Sequence, residues 1–378
     1  MMNVSDKIKY VGVDDLDIDL FESQYVVPEG MSYNSYVILD EKTAVMDTVD
    51  ARKTDEWINN VKATLGNKSL DYIVCLHMEP DHAGSMMKAM ETFPTAKVVG
   101  NAKTFTYMAQ FFDVNLEGRK VEVKDGESLS LGEHNLTFVC APMVHWPEVM
   151  VAYESSEKVL FAADAFGKFG AISKYDGDWA CEARRYYFNI CGKYGVQVQS
   201  LLKKAAALDI KTIAPLHGPV LKENLGYYID LYNTWSSYGV ESEGVLVAFA
   251  SIHGNTRKAA EKIASILEKQ GAKKVVVSDL SRDDEAEVIE DAFRYGRMIV
   301  AAPTYDGGLF PPMESFLSHL KSKNYQKRTV GIIENGTWAP MSGKLMKAAL
   351  ESMKEIKICD TVVTIKSALK AEQEDSLA

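Results

Sequence analysis

The sequence predicts an α/β protein of two domains, a layered sheet-and-helix domain over residues 1–242 followed by a doubly wound parallel sheet over residues 243–378. Three observations support this fold class. The 378 residues exceed what one hydrophobic core usually organises. Short β-rich runs and helical segments mix before residue 238, whereas strands and helices alternate strictly after residue 244. The segment 238–244 between the two patterns is polar and flanked by glycine, as is typical of a link.

The predicted strands of the first domain are short apolar runs bounded by turn residues, namely 35–39, 42–46, 72–76, 97–99, 136–139, 149–153, 159–162 and 211–214. Segments with helical periodicity are 51–65, 84–92 and 196–208. We therefore expect sheets covered by helices in this domain.

The second domain repeats a regular unit of one buried strand and one amphipathic helix. The predicted strands are 245–250, 274–277, 297–302, 329–333 and 361–365, and the predicted helices are 256–269, 284–295, 312–321 and 343–354. Crossover helices between successive strands imply a parallel sheet with helices on both faces. The tail 372–378 is expected to fray.

Composition excludes several classes of protein. The net charge of −11, without a basic stripe, argues against nucleic acid or an anionic membrane as a partner. No apolar run approaches the roughly 20 residues that a membrane-spanning helix needs, and the first residues lack a signal-peptide pattern. The five cysteines are scattered without a Cys-x-x-Cys pair, which indicates thiols in a reducing, cytoplasmic compartment and excludes a rubredoxin-type iron site in this chain.

Four potential metal ligands stand within six residues, in His77-Met-Glu-Pro-Asp-His82, directly after the predicted strand 72–76. Alternating residues of this motif can face one ion while its last two residues reach a second ion, about 3.5–4 Å away in two-metal sites. The mixture of imidazoles and carboxylates suits iron, manganese or zinc better than a thiolate-bound zinc. The motif therefore predicts a metal site.

Three further residues, His145, Asp164 and His217, follow other predicted strands. Taken singly, each also fits a structural role, since strand-end histidines often pack and an aspartate often caps a helix. Beside the first motif they complete seven donors for two ions, with Asp164 as the bridging carboxylate. His134, in a charged turn, and His319, in a helix, are expected at the surface.

Three loops of the second domain predict a binding site, because ligands of open parallel sheets bind beyond the carboxyl ends of the strands. The loop 251–256 offers hydroxyls and a central glycine before a helix, which fits either a monophosphate or an ordinary helix cap. The other two loops are 303–308 and 334–339. Their aromatic residues, Tyr305 and Trp338, can either flank an aromatic ring of a ligand or pack on their own loops. The candidate cofactor-binding residues are Ser251, Ile252, His253, Gly254, Asn255, Thr256, Pro303, Thr304, Tyr305, Asp306, Gly307, Gly308, Glu334, Asn335, Gly336, Thr337 and Trp338.

The metal motif resembles that of the metallo-β-lactamase fold, an αββα sandwich, in which His-x-His-x-Asp-His, His, Asp and His follow in this order. Glu79 replaces the usual second histidine, which is the pattern of flavodiiron proteins. The resemblance implies that one iron is bound by His77, Glu79 and His145, the other by Asp81, His82 and His217, and that Asp164 bridges them. The three loops of the second domain resemble those of flavodoxin and imply FMN, although 334–338 departs from the aromatic-glycine spacing of short-chain flavodoxins.

The flavodiiron resemblance implies reduction of O2 to water, of NO to N2O, or of both, with electrons relayed through FMN from a donor such as rubredoxin. It also implies a head-to-tail homodimer or a dimer of dimers, which places the FMN of one chain beside the irons of the other. Trp146 and Tyr194 are candidate neighbours of the bound gas. Two alternatives remain open here, a zinc hydrolase of the lactamase or glyoxalase II type with a fused flavodoxin-like module, and an electron carrier without catalytic activity.

Overall fold

The structure, a computed structural model, describes residues 4–371 and 373. The chain forms two compact units. The first comprises the described residues through Tyr187 together with Val196–Asn233, and the second comprises Phe188–Gly195 and the described residues from Thr234 onward. The predicted domain limits, 1–242 and 243–378, stay a prediction. The expected frayed tail lies outside the described residues apart from Gln373.

The strands of the first unit are short, and they are β1 (Ile8–Tyr10), β2 (Val13–Asp15), β3 (Leu20–Phe21), β4 (Tyr25–Val26), β5 (Met31–Tyr33), β6 (Tyr36–Ile38), β7 (Ala44–Met46), β8 (Tyr72–Val74), β9 (Lys97–Gly100), β10 (Lys120–Glu122), β11 (Ser128–Ser130), β12 (Asn135–Cys140), β13 (Met150–Glu154), β14 (Val159–Phe161) and β15 (Thr212–Ala214). The first seven helices of the chain are α1 (Thr54–Leu65), α2 (Pro80–Ala83), α3 (Met86–Thr92), α4 (Ala102–Phe111), α5 (Ala180–Ile190), α6 (Gly195–Ala205) and α7 (Leu225–Ser236). The division between the units falls within α5 and α7 and after the first residue of α6.

These strands form two mixed sheets, ordered β1-β6-β7-β8-β9-β10 and β11-β12-β13-β14-β15, and two small two-stranded sheets, β2-β5 and β3-β4. Tyr36 of β6 and Phe161 of β14 lie with ring centroids 5.6 Å apart, so the two sheets share one core. Strands β7 to β10 run parallel, as do β14 and β15. Loops leaving the carboxyl ends of β8, β14 and β15 carry most of the predicted metal ligands.

Helix α1 shows why the helical periodicity of this unit could be recognised. Its buried residues, Trp57, Ile58, Val61 and Leu65, recur at the spacing of one helical face. Helix α4 is not predicted from the sequence, although its buried residues Thr104, Phe105 and Met108 also share one helical face, because its aromatic and β-branched residues have low helix propensity. A capping box begins it, in which Asn101 Oδ1 accepts from Thr104 N at 3.1 Å and Thr104 Oγ1 accepts from Asn101 N at 3.2 Å.

The second unit contains β16 (Ser242–Phe249), α8 (Asn255–Lys269), β17 (Val275–Asp279), α9 (Glu285–Arg294), β18 (Tyr295–Tyr305), β19 (Gly308–Leu309), α10 (Pro311–Ser322), β20 (Thr329–Asn335), α11 (Ser342–Glu351) and β21 (Lys357–Ile365). The sheet order β17-β16-β18-β20-β21, with every one of these pairs parallel, is the flavodoxin-like order 2-1-3-4-5. The predicted doubly wound parallel sheet is confirmed. The carboxyl ends of β16, β18, β20 and β21 lead into the loops that form the cleft described below.

Candidate metal centre and cofactor cleft

Four loops of the first unit bring all seven predicted metal ligands together. They form two groups, one of His77, Glu79, His145 and Asp164 and one of Asp81, His82 and His217. Within each group the candidate ligand atoms all lie within 4.8 Å of one another. Short helix α2 supplies two members of the second group, and the loop before it supplies two of the first. The seven residues predicted from the sequence as metal ligands therefore lie together in the structure.

Asp164 lies between the two groups and directs one carboxylate oxygen at each. Its Oδ2 is 3.3 Å from His77 Nε2 and 3.2 Å from His145 Nε2. Its Oδ1 is 3.0 Å from His82 Nε2 and 3.7 Å from His217 Nε2. This is the position of a bridging ligand.

The spacing between donor atoms fits the edges of metal coordination spheres. Two donors that bind one ion at about 2.1 Å and at right angles are about 3.0 Å apart. Glu79 Oε2 is 2.9 Å from His145 Nε2 and 3.2 Å from His77 Nε2. In the second group, Asp81 Oδ2 is 3.1 Å from His217 Nε2.

Several of these polar atoms are buried and lack a hydrogen bond within the described part of the chain. They are Asp164 Oδ2, both carboxylate oxygens of Asp81, and His217 Nε2. Buried polar atoms normally find partners, because leaving them unsatisfied costs about 1–3 kcal/mol each. Cations among these donors would satisfy them, so the residues fit a pair of metal ions.

The electrostatics of the cluster point the same way. Burial alone lowers the pKa of His145, but the Asp164 and Glu79 carboxylates outweigh it and raise that pKa to about 9. Burial likewise opposes ionisation of Asp164, whose pKa the surrounding histidines nevertheless hold well below its usual value. The carboxylates thus favour positive charge at their centre, which protons or metal cations can supply in competition with one another.

Two acceptors outside the cluster orient the imidazoles. His77 Nδ1 donates to Glu148 Oε1 at 2.7 Å, and His217 Nδ1 donates to the Ser32 carbonyl at 2.7 Å. Both rings therefore turn Nε2 toward the ligand cluster, as ligating histidines require. Sequence reasoning missed both partners. Glu148, an acid three residues after His145, gave a usable signal, whereas a backbone carbonyl such as that of Ser32 gives none.

The loop that carries His217 is held from the amino-terminal part of the chain. Asn34 Nδ2 donates to the carbonyls of Pro215 at 2.9 Å and Gly218 at 2.8 Å. Gly218 has φ +77°, and a Cβ there would lie 2.6 Å from Lys168 Cγ. Only glycine fits this turn, which fixes His217 at the end of β15.

Aromatic rings pack beside the cluster. The Trp146 ring lies 5.4 Å from His77 and stacks on Phe111 at 6.4 Å. The ring of Tyr186 lies 5.5 Å from that of His217. Tyr194, the other predicted neighbour of the gas, belongs to the second compact unit, so its role there stays a prediction.

The two histidines expected at the surface differ. His319 is exposed, which confirms the prediction. The prediction was wrong for His134, which is buried. Its ring bridges Asp40 Oδ2 at 2.8 Å and Glu157 Oε1 at 3.1 Å, so two carboxylates meet the hydrogen-bonding needs of the imidazole away from water.

A cleft of about 500 Å³ opens beyond the strand ends of the second unit. The predicted cofactor-binding residues line it, apart from Gly254, Gly308 and Glu334. Three residues outside the predicted set also line it, Ala339 and Met341 after β20 and Ser367 after β21. The strand-end rule that identified the other loops would also have identified the one after β21.

The loop between β16 and α8 is built to receive an anion. Gly254 adopts φ +83° as the N-cap of α8, a left-handed conformation that glycine adopts without strain. Ser251 Oγ accepts from Gly254 N at 3.0 Å, which closes the loop. The amino terminus of the 15-residue helix α8 then contributes its unpaired N–H groups and its positive dipole end.

Glu334 is turned away from the cleft and fixes neighbouring elements. One of its carboxylate oxygens accepts from Gly343 N at 2.9 Å and the other from the Thr364 hydroxyl at 2.7 Å. The two aromatic candidates stand at the rim instead. Trp338 is 91% exposed and Tyr305 is 45% exposed, which leaves both rings accessible to a ligand in the cleft.

Comparison with known proteins gives matches over both units. The family model described as "ODP family beta lactamase" matches residues 31–218, and the model described as "Flavodoxin domain" matches residues 246–362. No helix among the described residues has the length and apolar character to cross a bilayer.

Named relatives match nearly the whole chain. A nitric oxide reductase of Moorella thermoacetica is 30% identical over 98% of this chain and 94% of its own length. An anaerobic nitric oxide reductase flavorubredoxin of Vibrio vulnificus is 28% identical over 89% of this chain and 70% of its own length. The solved structure of rubredoxin oxygen:oxidoreductase from Desulfovibrio gigas superposes with a TM-score of 0.91 at 26% identity, covering 99% of this chain and 95% of that one.

Proposed function

Because this chain belongs to the flavodiiron protein family, we propose that it is an oxidoreductase that reduces O2 to water, NO to N2O, or both at a pair of irons. The observation that carries this function is the cluster of four histidines and three carboxylates, with Asp164 between its two groups. The cofactors are a diiron centre and FMN.

We assign the ligands as the two groups divide them. His77, Glu79 and His145 hold one iron, Asp81, His82 and His217 hold the other, and Asp164 bridges. The spacing of the donor atoms and the unsatisfied buried oxygens support this assignment. When bound, the irons and FMN supply single-electron transfers and an open coordination face for a small gas molecule.

The surrounding side chains keep this centre in working geometry. Glu148 and the Ser32 carbonyl fix two imidazoles in the tautomer that presents Nε2. Trp146 places an apolar ring beside His77, and Phe111 stacks on Trp146. An apolar neighbour strengthens the interactions between charged ligands and the ions.

The cleft of the second unit holds FMN in this proposal. The loop 251–256 receives the phosphate, and the ring lies toward Tyr305 and Trp338 at the rim. The cleft volume of about 500 Å³ is within the range of small-molecule sites, about 300–1,000 Å³. We keep residues 1–242 and 243–378 as the functional division, since the two matched family models fall on either side of it.

Electrons come from a separate donor, for which we propose rubredoxin or a similar small carrier. The name of the Desulfovibrio gigas protein, rubredoxin oxygen:oxidoreductase, supports this choice. We also propose a cytoplasmic location and a head-to-tail homodimer or dimer of dimers. Light scattering of the purified protein tests the assembly.

A zinc hydrolase with a fused flavodoxin-like module is not favoured. Glu79 puts a hard carboxylate where the hydrolase pattern has an imidazole, and such a site suits iron better. An electron carrier without catalysis would not need seven clustered metal ligands.

Metal analysis, the visible spectrum and gas electrodes test the proposal together. We expect two irons and one FMN per chain, and consumption of O2 or NO after anaerobic reduction through rubredoxin. Zinc without a yellow chromophore would refute it, and a flavin that is reduced without any uptake of gas would favour the electron carrier.

A further inference from the structure

Asn335, at the end of β20, joins three strand-end segments of the cleft through one buried side-chain amide. Its Oδ1 accepts from Ser367 N at 3.0 Å, and its Nδ2 donates to Ser367 O at 2.9 Å. The remaining Nδ2 hydrogen is directed at Thr256 Oγ1, at 3.3 Å. Both Nδ2 hydrogens and one of the two Oδ1 lone pairs therefore make hydrogen bonds.

The pairing with Ser367 fixes which end of the amide faces Thr256. A backbone N–H can only donate, so the atom beside Ser367 N must be the amide oxygen. The amide nitrogen then faces Thr256, and the Thr256 oxygen accepts. The polarity of this contact follows from the backbone and needs no assumption about the ligand.

The proton of the Thr256 hydroxyl is consequently available to the cleft. Thr256 is 2% exposed, lines the cleft and stands in the first turn of α8. Among residues 4–371 and 373, its hydroxyl has hydrogen-bond contact only with Asn335, to which it cannot donate. A buried hydroxyl proton without an acceptor, beside an anion-receiving helix terminus, fits a phosphate oxygen.

We propose that Asn335 is a positioning residue for the flavin phosphate, which it affects indirectly by holding the Thr256 hydroxyl in the donor orientation. This inference rests on the proposed function, since it takes FMN as the ligand. It differs from the sequence-based expectation that Asn335 touches the cofactor itself. The consequence is a selective contribution of Asn335 to the phosphate rather than to the ring.

The affinity for FMN compared with the affinity for riboflavin measures that contribution, because riboflavin lacks only the phosphate. Both are measured by quenching of flavin fluorescence on the full-length apoprotein. We expect Thr256→Val to lower the FMN-to-riboflavin affinity ratio about tenfold or more, the size of a hydrogen bond to a charged group. We expect Asn335→Ala to lower the ratio about three- to tenfold in the native background and not at all in a Thr256→Val background.

Thr364→Val serves as the matched control, since it removes a threonine hydroxyl on neighbouring β21 that contacts Glu334 instead. Its ratio should equal that of the native chain. If Asn335→Ala perturbs folding, Asn335→Asp keeps the size and the acceptor for Ser367 N but removes the donor. The aspartate should lower the ratio at least as far, because its carboxylate captures the Thr256 proton.

Equal weakening of FMN and riboflavin in the Asn335 variants would overturn the inference, as it would show that Asn335 supports only the ring-side loops. An unchanged ratio in the Thr256→Val variant would overturn it as well. Native protein that binds neither flavin would instead overturn the proposed function, so the two failures are distinguishable.

Discussion

Among the proposed ligands, Glu79 is the one whose chemistry bears most directly on the choice between iron and zinc. Its Oε2 lies 2.9 Å from His145 Nε2 and 3.2 Å from His77 Nε2, so it is a full member of the first group. A carboxylate at this place adds negative charge and a hard oxygen donor. Both properties favour iron over zinc in a site otherwise rich in imidazole.

Replacing Glu79 with histidine should therefore lower the iron content of the protein. We expect Glu79→His to retain less than the two irons per chain of the native protein, and to take up more zinc when both metals are offered. Metal analysis of the purified protein measures this. Glu79→Asp keeps the carboxylate and should lose less iron. An unchanged iron content and turnover in Glu79→His would contradict the argument.

His134 gives the first unit a pH-dependent contribution to stability. Burial lowers the pKa of His134, but hydrogen bonds to Asp40 and Glu157 raise it above 6.5. Burial raises the pKa of Asp40, but its hydrogen bonds with His134 lower it below 3.8. The histidine contribution is complete below pH 6.5 and is lost as pH rises through the raised value. The aspartate contribution is complete above pH 3.8 and is lost as pH falls.

The two contributions are therefore both present between about pH 4 and 6.5. We expect His134→Gln to destabilise the protein by about 1 kcal/mol at pH 5.5, which lowers the melting temperature by about 2–4 °C. The difference should shrink at pH 9. Thermal melts of both proteins at the two pH values test this. A difference that grows with pH would reverse the sign of the linkage and reject it.

At the scale of elements, the two units differ in how far their sequences predict them. Strands such as β16 and β18 are buried in a parallel sheet and read as long apolar runs, which made the second unit predictable. Strands β3 and β4 have two residues each and carry no periodicity. Their pairing depends on tertiary contacts, so local sequence could not reveal them.

The same distinction applies to the candidate sites. Side chains with donor atoms after strands could be found because their chemistry is visible in the sequence, as for Asp164 and His217. The orienting partners could not all be found, since the Ser32 carbonyl is chemically the same as any other backbone oxygen. The loop after β21, which contributes Ser367 to the cleft, could have been found from its place beyond a strand end, although its sequence lacks glycine or aromatic signals.

Helix α4 links the fold to the metal centre through its first residues. Asn101 caps the helix with Oδ1 and donates from Nδ2 to the Glu148 carbonyl at 2.6 Å. Glu148 in turn orients His77. The start of this helix therefore supports both local stability and the geometry of a ligand.

Two substitutions of Asn101 separate these roles. Asn101→Ala removes the cap and the contact with Glu148, and should cost about 1 kcal/mol of stability as well as metal affinity. Asn101→Asp keeps an oxygen cap but loses the amide donor, so metal affinity should fall while most of the stability remains. Chemical denaturation and competition with a chelator measure the two quantities. Equal loss of stability in both variants would refute the separation.

At the scale of the whole molecule, each compact unit contains one complete set of predicted cofactor ligands. The seven predicted metal ligands all belong to the first unit, and the residues that line the cleft all belong to the second. Loading of one cofactor therefore requires no residue from the other unit.

Removal of the flavin should consequently leave the irons in place. We expect protein stripped of FMN to keep two irons per chain but to lose reduction of gas by electrons from rubredoxin. Added FMN should restore the activity. Iron analysis before and after stripping measures the first expectation, with the native protein taken through the same buffers as control. Iron released in proportion to FMN would contradict independent loading.

The spread of the metal ligands along the chain also orders events during synthesis. The first group is complete once Asp164 has left the ribosome. The second group also needs His217, which lies 53 positions later in the chain. At about 5–20 residues per second, several seconds separate the two. Strand β15, which carries His217 to the site, pairs with β14 just before Asp164. A nascent chain can therefore offer one half of its iron site before the other half exists.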